Sequence, residues 1–386
     1  MTDHDDALPH LHLALEADGD GAHPAAWRHS GRPPGAVLTP RALRDVVAAA
    51  EDGGFSLVTF ADSPLPPGAG PDAGPDNGPD AGPSDATGPA GRIEAGTRAA
   101  HVSLLTDRIG LAPVLHIAPT EPFHLDTQLA SLDHASHGRA GWVVGAAAGE
   151  VALATVGGAA LPTAGLVRET ADVIDTARAL WDSWEDDAVI KDAATGRYLD
   201  SDRVHHIDFE GASFTVKGPL ITPRPPQGQV VVLVPDALEA DPRADVVLVA
   251  RPDLAAVAAR AATARESGAP LVFAEVEVVL DAGAPAADRL AALNEAADWP
   301  ETGRLRHVGS PEALVGLLRR LAESVDGVRL HPAVLAVDLP VLIGRVLPEL
   351  AAEGLRHTPR PGGTLRETLG LPRPANRFAA PAATHA

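Results

Sequence analysis

The chain has 386 residues, 45% hydrophobic and 3% aromatic, a net charge of −21 and no cysteine; this suits one large α/β domain with a core of small aliphatic side chains. Without cysteine there are no disulfides, thiolate metal sites or cysteine nucleophiles, and the acidic balance repels nucleic acid. No apolar run approaches the roughly 18 residues of a membrane span and the acidic start lacks a secretion signal's basic segment, so a soluble, cytoplasmic protein is expected, not a membrane protein.

Residues 11–16 read as a first strand, followed by a loop carrying His23, Trp27, Arg28 and His29. Thr39-Pro40 opens a helix, with Thr as N-cap and Pro at the first helical position. Val46, Val47 and Ala50 recur at helical spacing, and Gly53-Gly54 ends the run. Residues 55–61 form a second strand that ends at Asp62. From 64 to 91 the composition turns to Gly, Pro and Asp with a four-residue repeat, as in Gly70-Pro71-Asp72 and Gly74-Pro75-Asp76. With almost nothing to bury, this segment is expected to be a disordered loop inside the domain.

A helix over 94–105, a strand over 109–115, a helix over 122–135 and a strand over 140–144 follow. An amphipathic helix over 166–183 then leads into a long connection, 184–228. A compact α/β connection needs about 2 to 6 residues, so this one reads as a structured insertion at the edge of a site. Phe209 to Phe214, with Gly211 at the turn, predicts a hairpin within it. Further strands are expected over 229–234, 245–250, 270–280 and 328–330. Helices are expected over 254–266, 288–297, 310–324 and 339–353.

Eight strands, each but the fifth followed by a helical run, predict a (β/α)₈ TIM barrel as a single domain; a doubly wound open sheet is the alternative. Barrel sites form at strand C-terminal ends. Those ends nominate His23 and Trp27, Asp62, His116, Gly145, Pro235-Asp236 and His331. Asp62 closes an apolar strand, where a carboxylate is costly unless it accepts hydrogen bonds. Its plainer reading is a turn or capping residue, and a lone histidine such as His116 is more often structural. His205-His206 with Asp208 lacks a third ligand at suitable spacing, so no metal site is expected.

Several segments carry a resemblance in the same order along the chain: Ala26-Trp27-Arg28, Phe60-Ala61-Asp62-Ser63, Glu121-Pro122-Phe123-His124-Leu125, Leu132-Asp133-His134, Gly138-Arg139-Ala140-Gly141-Trp142, and Leu371-Pro372-Arg373-Pro374-Ala375-Asn376-Arg377. With the 184–228 insertion, they resemble the bacterial-luciferase-like flavin-dependent monooxygenases, in the branch with nitrilotriacetate and dibenzothiophene-sulfone monooxygenases. The resemblance implies a luciferase-like barrel, with residues 356–386 as a C-terminal arm packed back on it. It also implies an oxidoreductase, a monooxygenase that takes reduced FMN from a separate NAD(P)H:flavin reductase and oxygenates a small organic substrate with O₂. By the same resemblance Asp62 contacts the cofactor, His23 and His116 are the catalytic candidates, and Trp27 lines the substrate pocket. A homodimer is implied, or a heterodimer with an intact paralogue.

The chain departs from its relatives where they hold the flavin phosphate, on a Gly-Ala-Ser-type loop after the fifth strand. Here Pro235 to Pro242 contains no Gly or Ser, two prolines without N–H groups, and three carboxylates that repel a dianion. The segment Trp142 to Ala147 also lacks the amide and hydroxyl groups of its counterparts, and Thr163 and Val167 stand where relatives carry His and Tyr. The flavin site is therefore expected to be degenerate. The alternative function is a flavin-free paralogue with a small-molecule-binding or regulatory role.

Overall fold

The computed structural model describes residues 10–65 and 91–379, apart from 34, 119, 148 and 159. The expected Gly/Pro/Asp loop falls almost wholly outside these residues. Eight parallel strands close into a barrel: β1 His12–Glu16, β2 Leu57–Phe60, β3 Gly110–His116, β4 Gly141–Gly145, β5 Val231–Pro235, β6 Val246–Val249, β7 Leu271–Leu280 and β8 Gly327–Pro332. Each pairs with its successor, and β8 returns to β1 with Leu330 opposite Leu15.

The two faces of every strand have different partners. Leu11, Leu13 and Leu15 point outward into the layer under the helices. Ala14, Leu57, Ala112, Val143, Leu233, Leu248 and Phe273 point inward and fill the lower barrel. Leu365, Leu369 and Leu371 of the C-terminal arm join that inner cluster and plug the barrel from its N-terminal face. Gly110 shows how close the plug comes, since a Cβ there would lie 2.5 Å from a Leu365 methyl. Arg366 anchors the arm by donating to the Gln229 carbonyl at 2.8 Å and to Asp245 at 3.0 Å.

The longer helices are α1 Pro40–Gly53, α2 Ala95–Ser103, α3 Pro122–Ala135, α4 Thr163–Asp182, α5 Leu254–Glu266, α6 Ala286–Asn294, α7 Pro311–Ala322 and α8 Leu335–Val341. The Thr39 hydroxyl caps α1 by accepting from Ala42 N, and Ser310 caps α7 through Ala313 N, as those residue types predict. The last helix starts four residues ahead of its expected position and continues through a π turn, Leu342–Val346, into Leu347–Ala352.

Two departures from a regular barrel matter below. After β5 there is no helix: two 3₁₀ turns, Asp236–Leu238 and Asp241–Arg243, carry the chain straight into β6. β7 is ten residues long and outlasts β6, which covers only its lower half. A strand the sequence did not suggest, Leu305–Gly309, covers the upper half, with Arg306 opposite Glu277.

The 184–228 insertion has its own order, a hairpin Val189–Asp192 with Arg197–Leu199 and the expected one, Phe209–Glu210 with Thr215–Val216. Its placement corrects the expectation of a site edge. A segment that leads from a helix back to a strand arrives at the strand's N-terminal end, whereas barrel sites form at the other end. The insertion lies along α4, where Ala212 N donates to Asp172, and is fastened below by Arg224, 2.8 Å from Asp182. Trp184 donates to the Leu220 carbonyl at 2.8 Å, and Asn376 of the arm donates to the carbonyls of Asp182 and Trp184.

Candidate functional site

β2 and β3 lie side by side with Phe60 opposite Pro113, so their C-terminal ends bring Asp62 and His116 to one stretch of the rim. The Asp62 carboxylate accepts from Ser63 N at 2.8 Å and from Ala95 N, the first residue of α2, at 2.8 Å. It therefore satisfies a helix N-terminus while standing in the wall of a cavity. His116 Nε2 lies 3.2 Å from the Asp62 carbonyl oxygen. A carbonyl can only accept, so Nε2 carries the hydrogen and Nδ1 presents its lone pair. Nδ1 is buried without a partner. Burial lowers the His116 pKa against the opposing pull of Asp62, which keeps the ring neutral. Gly145 of β4 makes room for it, because a Cβ there would lie 2.6 Å from His116 Nδ1.

The cavity measures about 690 Å³ and runs from Asp62 and His116 past Val114 and Arg92 to His124 and Gln128 on α3. Apolar groups form part of its wall, and Arg92 is held loosely, 3.5 Å from Asp18. The structure does not bring His23 or Trp27 to this cavity. His23 is 2% exposed, accepts from Ala25 N at 3.0 Å, and holds Asn294 Oδ1 at 3.0 Å. Its ring meets the Trp299 ring at 5.1 Å, and Arg306 covers Trp299 at 4.1 Å. Trp27 is half-buried, with the Arg28 guanidinium 4.6 Å from its ring.

Charged side chains fill the upper barrel, which the apolar look of its strands does not predict. Arg329 of β8 donates to Glu16 of β1 at 2.9 Å, to Glu275 of β7 at 2.9 Å and to Thr59 of β2 at 3.0 Å. Arg304 reaches Glu275 at 3.3 Å and Arg306 reaches Glu277 at 2.7 Å, both from the added strand and the turn before it. His331 Nε2 is 3.3 Å from Glu275, and burial holds its pKa below the usual value. Burial alone would raise Glu275, but Arg329 and Arg304 outweigh it and hold this carboxyl well below its ordinary range. The available signal was a charge at every second position of buried strands, at 275 and 277 and at 329 and 331.

The turn after β5 is organised around two arginines. Asp236, whose side chain is 4% exposed, has Oδ2 2.6 Å from Arg251 Nη1 and 3.3 Å from Arg260 Nε. These are charge contacts whose angles fall outside hydrogen-bond geometry. Arg260 also donates to Asp241 at 2.8 Å. Burial raises the Asp236 pKa against the pull of Arg251 and Arg260. Asp236 and Asp241 are thus paired within the chain and Glu239 is exposed, whereas the sequence predicts three carboxylates free to repel. Pro235 and Pro242 bring no N–H, and no helix N-terminus follows, so the residues after β5 do not fit the phosphate of FMN.

Among the described residues no group of three His, Cys, Asp or Glu side chains could hold a metal ion. His205 pairs with Glu185 at 2.8 Å, and His206 bonds the Gly218 carbonyl at 2.8 Å. No helix among these residues is long and apolar enough to cross a membrane.

The family model described as luciferase-like monooxygenase matches residues 21–323. The chain is 26% identical to N-acetyl-S-(2-succino)cysteine monooxygenase of Bacillus subtilis (strain 168), covering 96% of this chain and 98% of the relative. It is 34% identical to one of the subunits of pristinamycin IIA synthase of Streptomyces pristinaespiralis, covering 76% of this chain and 83% of the relative. Another of that synthase's subunits is 29% identical, over 57% of this chain and 46% of its own length. The crystal structure of riboflavin lyase with modified FMN and riboflavin superposes with a TM-score of 0.77 at 22% identity, covering 94% of this chain and 96% of the other. At that identity the likeness speaks for the fold.

Proposed function

The chain belongs to the luciferase-like monooxygenase family, and from that premise we propose that it serves the oxygenation of a small organic molecule, in an assembly supplied with reduced flavin by a separate NAD(P)H:flavin reductase. The observation that carries this reading is the Asp62–His116 cavity, a half-apolar chamber at the strand ends with one uncommitted imidazole nitrogen. Asp62 holds the wall by tying β2 to α2, and its carbonyl fixes the His116 tautomer. His116 Nδ1, unpaired but covered beside Gly145, would take a proton from a molecule in the chamber once the rim shifts to uncover it. Similarity to two different chains of one synthase supports an assembly of two related chains; a homodimer is the simpler form of the same idea.

The test supplies the protein, a flavin-holding family partner, reductase, NADH and FMN with ¹⁸O₂ and a panel of small thioethers, amines and carbonyl compounds. Mass spectrometry should find a product carrying one ¹⁸O atom. His116→Ala should slow its formation where the flavin reacts in this chain's own cavity and leave it unchanged where the partner's barrel holds the flavin. No labelled product across the panel would overturn the reading.

A further inference from the structure

Two guanidinium groups converge at the C-terminal ends of β5 and β6, Arg251 from the loop after β6 and Arg260 from α5. Such a pair at a barrel's strand ends has the chemistry of an anion site, because a planar guanidinium can present parallel donors to phosphate or carboxylate oxygens. The occupant here is the chain itself. Asp236 lies against both arginines, and Asp241 contacts Nη2 of Arg260 at 2.7 Å. The fit is imperfect: Arg260 Nη1 is buried with no acceptor, and Asp236 Oδ2 lacks a well-aligned donor. An anion with more oxygens, free to orient, would use those donors better than a carboxylate fixed to the turn.

We infer that Asp236 and Asp241 act as a built-in anion, filling the Arg251–Arg260 site in which a phosphate monoester could sit, so that this chain leaves the flavin phosphate to a second chain of its family. The inference rests on the proposed oxygenation for the identity of the excluded ligand, but the exclusion itself is a property of the turn. A tethered carboxylate competes at an effective concentration in the millimolar range or above, whatever the level of free nucleotide. A phosphate dianion entering the turn would also meet Asp236, Asp241 and Glu239 unless it displaced them.

The test compares the full-length wild-type protein with Asp236→Asn/Asp241→Asn. FMN is titrated by fluorescence quenching and by its ³¹P resonance, and inorganic phosphate by thermal shift and calorimetry. The wild type should give no saturable FMN signal even at millimolar ligand. The double variant should bind inorganic phosphate at least about tenfold more tightly than the wild type, as expected for one charge-assisted bond regained. Micromolar FMN binding by the wild type would overturn the inference, as would a folded double variant with no gain in phosphate affinity. If the double variant does not fold, the wild-type titration decides alone. Wild-type FMN binding would sink this inference and leave the oxygenation reading standing; a failure to incorporate ¹⁸O beside a competent partner would sink that reading instead.

Discussion

His116 meets Asp62 through the main chain. The ring Nε2 lies 3.2 Å from the Asp62 carbonyl, while the Asp62 carboxylate turns away to the N–H groups of Ser63 and Ala95. One residue thereby sets a histidine tautomer and closes a helix end, and the two tasks can be separated by substitution.

Asp62→Ala leaves Ser63 N and Ala95 N without their acceptor, while Glu94 still caps α2 through Gly96 N and Thr97 N. The expected loss is about 1–2 kcal/mol, read from urea midpoints, with most of it restored in Asp62→Asn because the amide oxygen can still accept. Equal losses in the two variants would show that Ala95 N does not depend on this side chain.

His12 and Asp133 set opposing pH limbs of stability. Burial, with His357 nearby, lowers the His12 pKa from 6.5 to about 4. The folded protein therefore disfavours the proton, and roughly 3 kcal/mol of stability is lost as pH falls through that window. Burial raises Asp133 from 3.8 to about 7 against the hydrogen bonds from Gln227 and Ala140. Its contribution is full below the lower value and is lost as pH rises through the upper one. Both windows span roughly pH 4 to 7 with opposite sign and offset one another in the wild type, so His12→Leu should leave stability falling as pH rises through this range and Asp133→Asn should leave it rising; denaturant midpoints across pH that stay parallel to wild type would reject the assignment.

Arg329 is the shared cation of Glu16 and Glu275, and all three side chains are buried. Arg329→Met should destabilise by about 3–5 kcal/mol, since Glu16 loses its buried cation and Glu275 keeps only Arg304 and His331. Adding Glu16→Gln should recover part of that loss. Strict additivity in the double-mutant cycle would mean that the lattice is not energetically coupled.

The arm predicts its own result. Leu365 is 1% exposed and packs against the inner barrel beside Gly110. Leu365→Ala should cost about 2–5 kcal/mol in global unfolding. If only the tail became protease-sensitive, with the barrel midpoint unchanged, the arm would be a separate unit.

The barrel was legible because its strands are short apolar runs at regular distance, punctuated by capping residues such as Thr39 and Ser310, which do what their types suggest. Asp62 and His116 were legible as strand ends. Other features depend on contacts that no local pattern reports. Glu16 and Arg329 are 313 positions apart in sequence, and Glu275 and Glu277 sit in a stretch that reads as one apolar run. Leu305–Gly309 is a strand only because β7 outlasts β6 and offers it an edge. The insertion's length announced structure, but its place followed from the direction of the chain, which length does not encode. The acidic turn was visible as composition, whereas its pairing with Arg251 and Arg260 was not.

The position of the arm bears on how the molecule is made. Leu365, Leu369 and Leu371 complete a cluster begun by Ala14 and Leu57, so the earliest strands wait for nearly the whole polypeptide to leave the ribosome before their inner faces are covered. Until then those apolar inner faces lack the leucines that cover them from below, and a chaperone that shields them would act late in synthesis, when the stopper arrives.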